Sequence, residues 1–347
     1  MKKNHKILNW ILLSIICQVA LLSYFNFYYL NRHGEATTTL IPAGQDKPKK
    51  VQTTDVPENA TNIKVSYDNT FIAYMLDGNI EIRNVTDKKT VKTISAKSDK
   101  ISYFRWLPDR NMVIYGVNAP DSENGRAQVI TYNVDSDVEH AYPKITGIPR
   151  KSTIQQIELS PLTNVVYAKV VTGNGTAKIY RYNVMSELSF VMNITDKTSI
   201  KGFMYDNKLA YRDDKNKLYI WDGLKSSSKQ LAYNEKLDIL GISGIDDEIY
   251  VSVLNTDGKV SDILRGTYDK PLSSWEKIDV KANVSPDNLY ISPEGAIYEL
   301  DKDKSTVYNL QTNDKVSFTG SFIEIFDNHI VTRDGNKVKI EEMKDSQ

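Results

Sequence analysis

Four histidines, His5, His33, His140 and His329, and one cysteine, Cys17, are the chain's whole stock of soft metal ligands and strong nucleophiles. They are too few and too scattered for a zinc cluster, which needs about four ligands at close spacing. A lone cysteine also excludes an internal disulfide framework. Gly241-Ile242-Ser243-Gly244 falls short of the Gly-x-Ser-x-Gly elbow that raises a serine nucleophile between a strand and a helix. Asp213-Asp214-Lys215-Asn216 and Asp301-Lys302-Asp303-Lys304-Ser305 resemble fragments of calcium loops, but their lysines repel a cation and the distal bidentate glutamate is missing. No glycine-rich run ending in Lys-Ser or Lys-Thr is present to cradle phosphate. The sequence therefore assigns no catalytic residue, no metal ligand, no cofactor and no binding residue. Trp106, Trp221 and Trp275 offer area for a sugar or peptide, although packing between strands explains strand aromatics more simply. Paired carboxylates in a central channel are the one catalytic arrangement left open.

The chain has 347 residues, 40% hydrophobic and 25% charged, which suits one large folded domain with an appendage. Its 44 basic and 44 acidic residues leave no surplus of cations to displace phosphate counterions, so nucleic acid is not an expected partner. From residue 51 onward 37 basic residues face 42 acidic ones, an excess of five negative charges. Such a domain does not attract polyanions by charge.

Ile7 to Leu30 is 24 residues without a charge, bounded by Lys2, Lys3 and Lys6 before it and Arg32 after it. As a helix it would reach about 36 Å, against a hydrocarbon core of about 30 Å. Trp10 near one end and Tyr24, Tyr28 and Tyr29 near the other match the interfacial placement of amphipathic rings. Bulky Ser23-Tyr24-Phe25-Asn26-Phe27 is unlike a small-x-small cleavage site, so the expectation is an uncleaved transmembrane anchor in contact with lipid. The lysines keep residues 1–6 in the cytoplasm and send the rest outside. Residues 31–61 hold prolines, threonines and lysines without an aromatic and read as a tether, with a folded domain over 62–347.

That domain repeats. Asp-led turns precede short apolar strands at Asp68–Tyr74, Asp109–Tyr115, Asp206–Tyr211, Asp247–Tyr250, Asp287–Tyr290 and Asp327–Val331, with Ser160-Pro161-Leu162 opening a divergent copy that ends on Tyr167. From Tyr74 through 115, 167, 211, 250 and 290 to Val331 the steps are 41, 52, 44, 39, 40 and 41 residues. The long step coincides with a polar insertion between Asn118 and Arg126. Turns such as Asp77-Gly78-Asn79 and Asp334-Gly335-Asn336 supply the positive φ of tight hairpins. Units of about 40 residues with four short strands cannot each bury two faces, and stacking around a ring supplies the missing partners. The fold class is all-β, a seven-bladed β-propeller preceded by one N-terminal transmembrane helix. The last unit has room for three strands, so a stretch near Val51 to Val56 is expected to supply the fourth and close the ring.

Ser285-Pro286-Asp287, Leu107-Pro108-Asp109 and Ser160-Pro161-Leu162 resemble the WD40-like repeats of TolB-type and dipeptidyl-peptidase-type propellers over most of the chain after the tether. The resemblance implies an architecture rather than an activity. With the anchor and the missing reaction centre, the expectation is a non-catalytic binding or assembly platform at the plasma membrane of a bacterial envelope. Its expected partner is an envelope protein or glycan, and the wording of the sequence is similar to that of low-GC Gram-positive bacteria. The alternative is an envelope hydrolase acting on glycan or peptide through acidic residues in the channel.

Overall fold

The computed structural model describes residues 2–24, 51–119, 124–173, 175–326 and 328–343. The chain divides into two units, Met1–Pro48 and Lys49–Gln347. In the first, α1 runs Lys2–Tyr24, starting five residues before the predicted span. Among the described residues no helix is long and apolar enough to cross a membrane, so the predicted transmembrane helix over 7–30 is not found as such. Phe25–Leu30 of that span lie outside the described residues, and the uncharged stretch of α1 that is described, Ile7 to Tyr24, reaches about 27 Å against a core of about 30 Å. Most of the predicted tether, 31–50, also lies outside the described residues.

In the second unit, alternating apolar and polar residues rich in Val, Ile and Tyr make short strands, and Asp, Asn and Gly at positive φ turn them back. β1 (Val51–Asp55) precedes the first blade, β2 (Thr61–Val65), β3 (Phe71–Leu76), β4 (Asn79–Asn84) and β5 (Thr90–Ile94). The second blade holds β6 (Lys100–Trp106), β7 (Met112–Asn118), β8 (Gly125–Asn133), β9 (Val138–Ala141) and β10 (Ile145–Ile148). The third is β11 (Thr153–Ser160), β12 (Val165–Gly173), β13 (Thr176–Tyr182) and β14 (Leu188–Thr195), and the fourth β15 (Ser199–Gly202), β16 (Lys208–Arg212), β17 (Leu218–Asp222) and β18 (Ser227–Leu231). The fifth is β19 (Lys236–Ile242), β20 (Ile249–Leu254), β21 (Val260–Gly266) and β22 (Glu276–Val284). The sixth is β23 (Leu289–Ile291), β24 (Ile297–Asp301), β25 (Thr306–Asn309) and β26 (Lys315–Ser317), and β27 (Ser321–Phe326), β28 (His329–Asp334) and β29 (Lys337–Glu342) begin the seventh.

Each blade is an antiparallel sheet of its own, and the seventh is completed from the other end of the chain in the order β1-β29-β28-β27. Val51 to Asp55 pair with Glu341 to Lys337, which is the expected closure. Residues 51–55, which the boundary at 62 leaves in the tether, therefore belong to the ring. Innermost strands meet in ring order, β2 with β6, β6 with β11, β11 with β15, β15 with β19, β19 with β23, and β27 back with β2.

No blade buries its faces alone. Seven apolar clusters each join residues of two neighbouring blades, for example Ile80 and Ile82 with Val113 and Tyr115 between the first and second. Val65 and Tyr74 pack with Val331 and Ile340 between the first and the seventh. The repeated Asp, Asn and Ser of the turns clasp adjacent blades. The Asn111 amide donates to Asp68 at 3.0 Å, Ser160 Oγ to the Asp206 carbonyl at 3.0 Å, and Gly244 N–H to the Pro293 carbonyl at 2.7 Å.

The repeat slips by one strand in the sixth blade. Tyr290 lies on the innermost strand β23, whereas Tyr74, Tyr115, Tyr167, Tyr211 and Tyr250 lie on second strands, so Tyr298 on β24 is their counterpart. The turn that precedes β24 is Ser292-Pro293-Glu294-Gly295, closed by Gly295 at φ 86° and by Ser292 Oγ accepting Ala296 N–H at 3.1 Å. Ser285-Pro286-Asp287, the sequence-based choice, instead leads a 3-10 turn over Pro286–Asn288 between blades. In the second blade the insertion at 118–126 is only part of the extra length. Pro120–Glu123 lie outside the described residues, and β9 and β10 follow one another along the edge of a nine-residue β8.

Candidate functional site

In a meander of four strands, the loops joining first to second and third to fourth strands emerge on one face of the ring. There, between the fourth and fifth blades, Tyr205 and Asp206 of the β15–β16 turn meet Ile245, Asp246 and Asp247 of the β19–β20 turn and Thr267, Tyr268 and Asp269 after β21. They line an open surface cleft of about 440 Å³, a size that holds a side chain or small ligand. Two other concavities, of about 20 and about 0 Å³, hold a single water at most.

Each lining residue has a distinct role. Asp247 is buried at 7% exposure, and its two carboxylate oxygens accept the N–H groups of Met204 at 2.6 Å and Tyr205 at 2.9 Å, fixing the neighbouring blade's turn. Burial pushes its pKa above the usual carboxylate value, with Asp206 and Asp246 adding to the rise and the two N–H groups opposing it. Asp206 accepts the Tyr268 hydroxyl at 2.8 Å and pairs with Lys208 at 3.0 Å. The Lys208 ammonium sits 4.8 Å above the Tyr268 ring, whose edge packs on Phe203. Burial alone lowers the Lys208 pKa, but Asp206 and Tyr268 outweigh it and the lysine stays a cation.

Asp206 is thus paired within the wall, and the cleft's remaining negative charge is on the exposed Asp246, which accepts Glu248 N–H at 3.3 Å, and the exposed Asp269, which also feels Lys270 and Lys229. The Thr267 hydroxyl holds the Asp269 carboxyl below its usual value. Large apolar groups stand open on the same loop face: Tyr205, 46% exposed, and Ile245, 60%, line the cleft, and Leu162, 62%, and Leu224, 82%, sit on adjoining turns. Leu162 N–H donates to the Met204 carbonyl and Gly223 N–H to the Asn207 carbonyl, which ties both leucines to the Tyr205 turn. The composite is a mouth with acidic and apolar sides, chemically suited to a cationic group flanked by apolar side chains.

The innermost strands have a different character. Lys64 pairs with Glu324 at 2.7 Å between the first and seventh blades, and Arg105 with Glu158 at 3.1 Å between the second and third. Burial works against the Arg105 charge, and Glu158 more than restores it. Both glutamates serve as cross-blade clasps. His140 packs edge-on against Tyr142, and His329 meets the Asn69 amide at 3.3 Å. Among the described residues no group of three or more His, Cys, Asp or Glu side chains could hold a metal ion. Trp106 and Trp275 are buried and donate to the carbonyls of Lys64 and Lys270, which are packing roles. Trp221 packs half-buried between the third and fourth blades.

The chain is a seven-bladed propeller, and solved structures agree. No protein-family model matches it and no curated relative does. The β-propeller domain of Cps50 (Swd1) from Myceliophteria thermophila superposes with TM-score 0.56 at 12% identity, over 86% of this chain and 100% of that one. A chain of the mitotic checkpoint complex superposes with TM-score 0.53 at 13% identity, over 89% and 100%. An oligogalacturonate lyase in complex with manganese gives 0.59 at 10% identity, over 87% and 98%. Identities this low establish the fold alone.

Asp206 and Asp247 stand out in the sequence only as repeat-turn residues, and Ile245, Asp246 and Thr267–Asp269 do not stand out at all. The usable signal was topological: equivalent turns one period apart lie side by side in a ring, so residues near 206 and 247 had to be neighbours.

Proposed function

We propose that the protein is a non-catalytic binding platform of a bacterial envelope, held at the plasma membrane by its N-terminal helix with the propeller outside. The cleft between the fourth and fifth blades receives a protein segment that offers a cationic group beside apolar side chains. The observation that carries this reading is the coexistence of a roomy open cleft, the exposed Asp246 and Asp269 carboxylates and four exposed large apolar residues on one loop face. A soluble surface seldom leaves such groups open without a partner. The membrane part is supported by α1, where Trp10, Leu12, Leu13, Ile15, Ile16, Val19, Leu21 and Leu22 are between 51% and 72% exposed. A helix apolar on every side needs an apolar surrounding. Lys2, Lys3 and Lys6 at its start favour the cytoplasmic side for the N-terminus.

Photo-crosslinking of the full chain in its own membranes tests the reading. A photoreactive residue in place of Tyr205 is expected to give a discrete protein adduct, and one in place of Val91 on the ring's outer wall is expected to give none. Equal labelling at both positions, or lipid adducts alone at 205, would contradict it.

A further inference from the structure

Turns are where the chain meets water, and Gly, Pro, Asn, Asp and Ser dominate them. In the ring the large apolar residues that stand exposed in turns are Tyr205 and Ile245 of the cleft together with Tyr67, Leu162, Val184, Met185 and Leu224. All seven belong to turns that join first to second or third to fourth strands, on the face that carries the cleft. Among the described residues the turns of the opposite face expose none. The tips are fixed from within: Asn183 Oδ1 accepts the N–H groups of Met185 at 3.0 Å and Glu187 at 2.9 Å, and Asp222 Oδ1 accepts Leu224 N–H at 3.0 Å. Asn207 of the fourth blade draws the third blade to it, its Oδ1 accepting the Tyr167 hydroxyl at 2.8 Å and Arg181 Nε at 3.1 Å. Leu162, Val184, Met185 and Leu224, between 62% and 82% exposed, therefore crest neighbouring turns beside the cleft. The chain also enters the ring on this face. Val51, at the start of β1, pairs with Glu341 near the end of β29, whereas the β28–β29 hairpin at Asp334–Lys337 lies at the opposite face. The 26 residues 25–50 that link the ring to α1 reach at most about 90 Å. A surface tethered so closely stays docked through a contact that would be too weak between separate molecules.

We infer that this face rests on the lipid surface that holds α1, with Leu162, Val184, Met185 and Leu224 inserted among the headgroups. Such a contact rests on the membrane part of the proposed function. Tyr205 and Ile245 stay with the cleft, which then opens along the lipid. Glu187, Asp246 and Asp269 are exposed on the same face, and Lys225 pairs with Asp222 at 3.8 Å. The contact is therefore made by apolar insertion and not by attraction to anionic headgroups, and zwitterionic phosphatidylcholine suits it better than phosphatidylglycerol.

The test reconstitutes the full chain in phosphatidylcholine vesicles that carry a nitroxide-labelled lipid. One fluorophore is attached at a time, at the native Cys17 of α1 or, with Cys17→Ser, at Met185→Cys or at Lys215→Cys in an exposed turn of the opposite face. Quenching by the lipid is expected at 17 and 185 and not at 215. Leu162→Asp/Leu224→Asp is expected to reduce the quenching at 185 about tenfold and to leave that at 17 unchanged. Replacing phosphatidylcholine by phosphatidylglycerol should also reduce it at 185. Quenching at 17 with none at 185, or equal quenching at 185 and 215, would overturn the inference and leave the anchor standing. No quenching at 17 would remove the anchor and the lipid contact together. A label at 185 that is shielded from aqueous iodide yet untouched by the nitroxide lipid would mean that protein covers these turns, which also overturns the inference.

Discussion

Arg333 is the residue on which ring closure most depends. From β28 its guanidinium donates to the carbonyls of Ala60 at 2.7 Å, Pro57 at 2.9 Å and Glu58 at 2.8 Å, and its Nε to the Gly335 carbonyl at 2.8 Å. These bonds pin the segment that follows β1, which Val56 N–H also fastens to the Asn336 carbonyl at 2.7 Å. Charged-donor hydrogen bonds contribute about 1.5–3 kcal/mol each when buried, and Arg333 is only half-buried, so the three bonds to residues 57–60 together stabilise by about 3 kcal/mol. The unit Lys49–Gln347 should unfold with an entropy of about 0.6 kcal/mol/K. Arg333→Met is therefore expected to lower the melting temperature by about 5 °C, read by circular dichroism on the full chain in detergent. It should also speed tryptic cutting at Lys49 and Lys50. The exposed Arg150→Met is the control and should leave both unchanged. If Arg333→Met melted within about 1 °C of the unsubstituted protein, the closing segment would not be held as described.

Three further outcomes follow from the same geometry. Lys169, 3% exposed, donates to the carbonyls of Asp196 at 2.7 Å and Thr198 at 2.6 Å, and burial lowers its pKa from 10.5 to about 8. Between pH 8 and 10.5 the unfolded chain binds the proton that the folded chain has shed, so this residue's contribution rises with pH, and Lys169→Met should remove that rise from denaturant titrations. Gly116 on β7 has no room for a methyl group, since its Cβ would lie 2.8 Å from Ile154 Cβ on β11, so Gly116→Ala should destabilise by about 1–3 kcal/mol in the same titrations. Asp247→Ala strips the acceptors from two N–H groups of the neighbouring turn, and a loss of about 2 kcal/mol with faster amide exchange at Met204 and Tyr205 is expected.

Much of the ring is legible in the sequence because its cause is local and repeated: an Asp-led turn, a buried strand tyrosine and a Gly hairpin recur at nearly constant spacing. The closing strand follows from counting, since a seventh unit with room for three strands needs a fourth. The slip in the sixth blade was not legible, because Ser285-Pro286-Asp287 and Ser292-Pro293-Glu294-Gly295 both fit the turn pattern seven residues apart. Only the partner strands decide between them: Leu289–Ile291 is the innermost strand and pairs along Ile297–Glu299, which leaves the second turn as the hairpin. The extra outer strand of the second blade was hidden for a similar reason, its residues reading as loop until β8 is long enough to pair with them. Cleft residues stayed invisible because a turn's Asp serves as a clasp in one blade and as a free charge in another. Asp247 and Asp246 differ by one position in the chain and wholly in burial. The N-terminal helix was legible as a helix, with its start placed five residues late.

The claim most open to direct test is that the cleft takes a cationic segment with apolar neighbours. Fluorescence anisotropy of a labelled alternating Lys-Leu peptide against the full chain in detergent measures it. Saturable binding is expected that weakens with salt and falls about tenfold in Asp246→Asn/Asp269→Asn, two exposed carboxylates that clasp no neighbouring blade, while an alternating Glu-Leu peptide does not bind. Equal affinity for the doubly substituted chain, or equal binding of the Glu-Leu peptide, would contradict the account.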